Sequence, residues 1–129
     1  MKIKRFITIL LSMLVLTACA QEQEERKSYR QVSMEEAINI MNNESGYIIL
    51  DVRRPDEFAA GHIPNAINIP NETIGTNELP ELPNKNQLIL IYCRSGRRSK
   101  EASEKLVALG YTNIVEFGGI IDWTGETVK

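Results

Sequence analysis

The stretch that most constrains the fold runs from residue 88 to residue 99 and reads LILIYCRSGRRS. Its first five residues form a continuous apolar run, which is typical of a strand buried on both faces of a sheet. A polar loop follows, and apolar residues at helical spacing then predict a helix from about Ser99 to Leu109, ended by Gly110. Cys93 is therefore expected between the carboxyl end of a buried strand and the beginning of a helix.

The same alternation of strands and helices continues on both sides of this stretch. A capping pattern at Ser33 and Glu36 predicts a helix that runs to about Asn42. Two further apolar runs and one short alternating segment predict strands at residues 47–52, 66–69 and 113–117. Such an order predicts an α/β fold with a mainly parallel sheet, in which ligands bind outside the carboxyl ends of the strands.

Composition excludes several classes of protein. The chain has 129 residues, of which 43% are apolar and 25% are charged, and this suits one globular domain. A net charge of −2 and a pI near 5.5 give no general attraction to nucleic acid, so no such partner is expected. Two cysteines are too few for a disulfide scaffold, and one histidine makes a metal site implausible.

The N-terminus has the pattern of an export signal. Three basic residues precede an apolar run at residues 6–18, which is short for a bilayer span of about 20 residues. The run ends in Leu16-Thr17-Ala18-Cys19, which resembles the lipobox of bacterial lipoproteins. We expect residues 1–18 to be a lipoprotein signal peptide and Cys19 to carry the lipid. An ordinary signal peptide or an uncleaved anchor is the alternative.

Residues 19–31 would then be the lipidated cysteine and a flexible, charged tether, and residues 32–129 the folded domain. Removal of residues 1–18 takes away three cations and no acid, which leaves 12 basic residues against 17 acidic residues, a net charge of −5. The expected location is extracytoplasmic, on a bacterial membrane, through the lipid on Cys19.

The residues around Cys93 favour nucleophilic chemistry. A helix N-terminus and the nearby Arg94, Arg97 and Arg98 would stabilise a thiolate, and Gly96 would allow a tight anion-binding loop. The plainer alternative is a small buried cysteine beside a solvated basic face. Against it, basic side chains at a helix N-terminus oppose the helix dipole, a conflict that is more common at functional sites.

Three motifs together resemble the rhodanese family of sulfurtransferases. Besides the cysteine loop, they are Asp51-Val52-Arg53 with Glu57-Phe58 and residues 61–70, and the ending from Gly118-Gly119 to Trp123. The resemblance covers about residues 32 to 126. It implies a rhodanese-like fold, with a central sheet flanked by helices, and thiosulfate sulfurtransferase activity.

In that family a thiolate, here Cys93, takes the outer sulfur from a donor such as thiosulfate and forms a persulfide. Cyanide or a thiol then accepts the sulfur, and neither a metal nor an organic cofactor takes part. The resemblance implies that the loop of Arg94, Ser95, Gly96, Arg97, Arg98 and Ser99 stabilises the persulfide through its N–H groups. The three arginines would bind the anionic donor.

Other functions stay open at this point. The domain could be a non-catalytic sulfur carrier or an anion-binding module. A phosphatase is less favoured, because related phosphatases have a loop one residue longer that closes with arginine at the position of Ser99. Arsenate reduction uses a similar cradle and is also less favoured. We expect a monomer.

The upstream motif is assigned a supporting role. Asp51 could hydrogen-bond the loop, although an aspartate at a strand end is commonly a turn former. Arg53 and Glu57 are predicted to pair beneath the site. His62 is interpreted as mainly structural.

Overall fold

A computed structural model describes residues 29–129 of the chain. The predicted signal peptide, the lipidation at Cys19 and the tether up to residue 28 lie outside the described residues, so they stay predictions. Residues 30 and 31, which the sequence analysis assigns to the tether, form a strand of the sheet. The described folded part therefore includes residues that precede the predicted domain start at residue 32.

Five parallel strands form one sheet in the described part of the chain. They are β1 (Arg30–Gln31), β2 (Ile48–Asp51), β3 (Ile67–Asn68), β4 (Ile89–Cys93) and β5 (Ile114–Gly119). Their spatial order is β1-β5-β4-β2-β3, which puts β4 in the middle. The predicted α/β fold with a central parallel sheet is confirmed.

Three helices lie in the connections: α1 (Met34–Asn43), α2 (Pro55–Ala60) and α3 (Arg97–Ala108). The Ser33 hydroxyl caps α1 by accepting the Glu36 N–H at 3.1 Å, as predicted. Helix α2 is not among the predicted elements, although a proline at its first position and a glycine just after its end are helix signals. No helix within residues 29–129 is long and apolar enough to cross a membrane.

The sheet buries both of its faces, which explains the uninterrupted apolar runs. Alternate residues of β4 point to opposite sides, so Ile89, Ile91 and Cys93 pack in the apolar layer under α3. Leu90 and Tyr92 pack in the other layer, under α1. All five residues of β4 are buried. The strand that presents Cys93 is therefore the most constrained part of the fold.

Candidate active site

Cys93 ends the central strand, and α3 begins four residues later. Only 1% of the residue is exposed. Gly96 has a φ of +119°, in the left-handed region that favours glycine, and this turn directs its N–H to the sulfur. That N–H donates to Cys93 Sγ over 3.0 Å. The short connection thus supplies both a backbone hydrogen bond and a helix N-terminus to one sulfur atom.

The Ser99 side chain points into the protein and not into the pocket. It is fully buried, and its Oγ lies 3.4 Å from Cys93 Sγ. On its other side, the same hydroxyl donates to Glu116 Oε2 over 2.8 Å. Ser99 therefore contacts Cys93 from within the protein and does not face the solvent.

An open pocket of about 620 Å³ lies over the loop. It is lined by Arg54, Glu57, Glu72, Arg94, Ser95, Arg97 and Arg98. Four arginines against two glutamates give this wall a net charge of +2, in a chain whose total is negative. The pocket is thus suited to a small anion.

The three loop arginines differ in how far they are already paired. Arg98 donates through both terminal nitrogens to Glu57, over 2.6 and 3.0 Å. Arg97 is 75% exposed and pairs with Glu101. Arg94 is exposed and makes no ion pair within residues 29–129. An anion in the pocket can therefore bind Arg94 without breaking an ion pair among residues 29–129. It can also replace Glu101 as the partner of Arg97 at little cost, because that pair is exposed.

The pair between Glu57 and Arg98 joins α2 to the beginning of α3. Chiefly through its hydrogen bonds from Arg98, the pKa of Glu57 is lowered to about 2 from an ordinary 4.5. The same pair raises the pKa of Arg98. Because the pKa of Glu57 is lower in the folded protein than in the unfolded chain, the pair stabilises the fold at pH values above the ordinary pKa of 4.5. This stabilisation is lost as the pH falls towards 2.

We expect Glu57→Gln to lower the free energy of unfolding at pH 7 by about 1–3 kcal/mol, because it removes one partner of a charge-assisted pair. The difference from the parent should shrink between pH 4.5 and pH 2, where the parent loses the same interaction. Urea unfolding at several pH values measures this. Glu72→Gln removes another pocket carboxylate that makes no ion pair within residues 29–129, and equal losses in both variants would contradict the prediction.

Asp51 and Arg53 pair with each other instead of contacting the cysteine loop or Glu57. The Asp51 carboxylate is fully buried and accepts from the backbone N–H, Nε and one terminal nitrogen of Arg53. That terminal nitrogen also donates to the Gly61 carbonyl over 2.7 Å. The predicted pair between Arg53 and Glu57 is replaced by these contacts. Asp51 and Arg53 thus hold α2 and the following loop against the end of β2.

His62 also belongs to the framework. Its ring stacks on Phe58, with centroids 3.7 Å apart, and its Nδ1 lies 2.9 Å from the Phe58 carbonyl oxygen. Its backbone pairs with Val128 near the C-terminus. No cluster of potential metal ligands occurs among residues 29–129.

The family model described as the rhodanese-like domain matches residues 33–126 of the sequence. This range is most of the chain and includes every element of the site. The chain belongs to the rhodanese-like family. The resemblance stated from the three sequence motifs is thereby confirmed, and so is the fold that it implies.

Curated relatives of this rhodanese-like chain include both transferases and a proposed carrier. It is 36% identical over 80 residues to the thiosulfate sulfurtransferase PspE of Escherichia coli, which covers 62% of this chain and 77% of that protein. It is 34% identical over 107 residues to the putative sulfur carrier protein YrkF of Bacillus subtilis. That match covers 81% of this chain and 56% of the relative.

Solved structures have the same fold. A rhodanese with anions from Escherichia coli superposes with a TM-score of 0.59 and 35% identity, over 64% of this chain and 98% of that chain. A rhodanese-like domain protein from Staphylococcus aureus gives a TM-score of 0.64 and 33% identity, over 78% of this chain and 98% of that chain.

Glu116 is not among the residues that the sequence predicts for the rhodanese-like site. This carboxylate lies on β5 and is only 3% exposed, yet it contacts both Ser99 and the Gly118 N–H. A glutamate inside an apolar strand, Ile114-Val115-Glu116-Phe117, was the available signal, because charged residues are almost never fully buried unless they are paired.

Proposed function

We propose that this protein moves sulfane sulfur from thiosulfate, or a similar anionic donor, to cyanide or a thiol through a persulfide on Cys93. The observation that carries the proposal is the short connection at the end of β4. It places a backbone N–H 3.0 Å from Cys93 Sγ, under a pocket wall with a net charge of +2. This arrangement suits a sulfur that carries negative charge and an anionic partner that must approach it.

The reaction begins with the thiolate of Cys93. Its sulfur attacks the outer sulfur of thiosulfate and forms a new S–S bond. The bond between the outer and inner sulfur atoms of thiosulfate breaks, and its electron pair leaves with sulfite. In the second step the acceptor attacks the terminal sulfur of the persulfide, and the electron pair of the S–S bond returns to Cys93. The enzyme regains its thiolate, and no external oxidant or reductant is consumed.

The arginines of the pocket would bind the anionic sulfur donor. Arg94 is free to bind sulfonate oxygens, and Arg97 can exchange Glu101 for them at little cost. Arg98 is already neutralised by Glu57, so we assign it to keeping the loop in place rather than to direct binding. The family relationship to PspE supports a sulfurtransferase with thiosulfate as its donor, whereas the relationship to YrkF supports a carrier.

Intact-mass measurement of the reduced, full-length chain after incubation with thiosulfate tests the proposal. We expect a gain of one sulfur atom in the parent and none in Cys93→Ser. After cyanide is added, thiocyanate should accumulate over many turnovers and the persulfide mass should disappear. Cys19 is present in both proteins and so serves as an internal control.

Two other outcomes would change the conclusion. Sulfur gain at Cys93 with about one thiocyanate per protein would indicate a carrier that releases its sulfur to a partner protein. No sulfur gain with thiosulfate or with a small persulfide donor would contradict sulfur transfer altogether.

A further inference from the structure

A buried carboxylate lies on the protein side of the active-site loop, opposite the pocket. Glu116 projects from β5 and is 3% exposed. No lysine or arginine nitrogen of residues 29–129 lies within 4 Å of it. A buried carboxylate without a cationic partner is costly even where hydrogen bonds reach it. Stability alone therefore does not account for a glutamate at this position.

The contacts of Glu116 lead to the nucleophile. Its Oε2 accepts the Gly118 N–H over 2.5 Å and the Ser99 hydroxyl over 2.8 Å. The Ser99 oxygen in turn lies 3.4 Å from Cys93 Sγ, within reach of the S–H proton. Cys93, Ser99 and Glu116 are all buried, so these three side chains form one hydrogen-bonded series that is shielded from solvent.

The Ser99 hydroxyl has one proton to donate and can accept another at its lone pairs. Its competing acceptors are the Gly96 carbonyl, at 2.9 Å, and the Gly118 carbonyl, at 3.4 Å. The Glu116 carboxylate is nearer and is charged, and charge-assisted hydrogen bonds are the stronger ones. With its own proton on the Glu116 side, the serine oxygen presents a lone pair to the cysteine thiol.

We propose that Glu116 is a positioning residue that takes up, through Ser99, the proton that Cys93 loses when it becomes a thiolate. The Sγ–H bond breaks and leaves its electron pair on sulfur, while the proton binds to Ser99 Oγ. The original hydroxyl proton of Ser99 passes to Glu116 Oε2. The products are a thiolate, a neutral serine and a protonated glutamate, so the charge moves but its total does not change.

Two other titratable side chains, Arg98 and Tyr29, lie near Cys93, Ser99 and Glu116. Arg98 of α3 interacts favourably with a thiolate at Cys93. Tyr29, just before β1, lies near both Glu116 and Glu104, and burial together with these two carboxylates raises its pKa. If Glu116 acted only as a nearby negative charge, its removal would make the thiolate form at lower pH. Proton uptake by Glu116 predicts the opposite, which makes the two roles distinguishable.

This inference deepens the proposed function and depends on Cys93 as its nucleophile. The test nevertheless uses no sulfur donor, so a failure of sulfur transfer does not affect it. The ultraviolet absorbance of the thiolate is measured against pH in the full-length chain. Each protein is compared with the same protein carrying Cys93→Ser, which cancels the signals of tyrosines and of Cys19.

In the parent, thiolate absorbance should show a plateau, independent of pH, over the range in which Cys93 and Glu116 hold one proton between them, because that proton is shared and not released to solvent. In Glu116→Gln the plateau should be lost, and the thiolate should fall by about tenfold per pH unit on the acid side. Ser99→Ala should give the same loss, and the double variant should add nothing to it. Once the pH is high enough to deprotonate the thiol in every variant, all of these proteins should be alike.

Ser103→Ala is the matched control, because Ser103 is also fully buried on α3 but donates to the Ser99 carbonyl. It should keep the plateau. Three results would overturn the inference: no plateau in the parent, a plateau that survives in Glu116→Gln, or a shift of that variant's thiolate curve to lower pH. If Glu116→Gln does not fold, Ser99→Ala decides the question by the same criteria.

Discussion

Gly119→Ala is expected to slow persulfide formation at Cys93 by about a hundredfold or more, although the nucleophile and all charged residues remain. A Cβ at this position would lie 2.0 Å from the Arg94 carbonyl oxygen and 2.5 Å from the Ser95 nitrogen. Both are backbone atoms, so the loop itself must move. The Arg94 carbonyl is also the acceptor of the Ile121 N–H at 3.3 Å, a contact that this movement would break.

Displacement of Arg94 and Ser95 would also displace Gly96, whose N–H is directed at the sulfur. We expect an additional loss of about 1–3 kcal/mol in the free energy of unfolding, the usual cost of overpacking. Gly75→Ala is the matched control, because a Cβ there would meet nothing within 4 Å. Rates from intact mass, with urea unfolding of each variant, test this. A Gly119→Ala rate within twofold of the parent would show that the loop does not depend on close packing against β5.

Asp51→Ala should be the most destabilising substitution of the upstream motif, with a loss of about 3–5 kcal/mol. The variant would leave the Arg53 guanidinium, which is 7% exposed, without its carboxylate partner. Its remaining contacts are the Gly61 carbonyl and the ring of Tyr92, 5.8 Å from the guanidinium carbon. Domains of this size have only about 5–15 kcal/mol of stability in total, so partial unfolding near room temperature is expected.

Asp56→Ala provides the comparison for Asp51→Ala. Asp56 also pairs with an arginine two residues away, but both side chains are at least 60% exposed. Its unfolding midpoint in urea should stay close to that of the parent, because exposed ion pairs contribute little. If the two variants unfold at the same urea concentration, the buried pair between Asp51 and Arg53 contributes no more to stability than the exposed pair.

Much of the fold could be predicted from local patterns. Buried parallel strands produce continuous apolar runs, and residues 48–51, 89–93 and 114–119 were all located from such runs to within about two residues. The edge strand at Arg30–Gln31 has no comparable signal, because both residues are exposed and polar. Its place depends on pairing with Val115 and Glu116, more than 80 residues away. Helix α2 was missed for another reason, since six residues are too few to show a helical period.

The site could be predicted only in part. Cys93, Gly96 and the loop arginines are contiguous, so their chemistry is visible in the sequence. Their pairing is not visible, because Glu57 lies 41 residues before the arginine that it binds. For Asp51, a hydrogen bond to the loop and a structural role were both open, and its partner Arg53 is only two residues away.

The sequence by itself determined the family and the parallel sheet and predicted Cys93 as the nucleophile, because each of these depends on periodicity or on a short contiguous motif. Only the tertiary structure decided which charges remain available. Side chains compete for partners through space, and the closest oppositely charged group can come from any part of the chain. Arg98 is thus occupied by Glu57, whereas Arg94 has no ion-pair partner among residues 29–129. Glu116 reaches Cys93 through Ser99 because β5 packs beside β4 under α3.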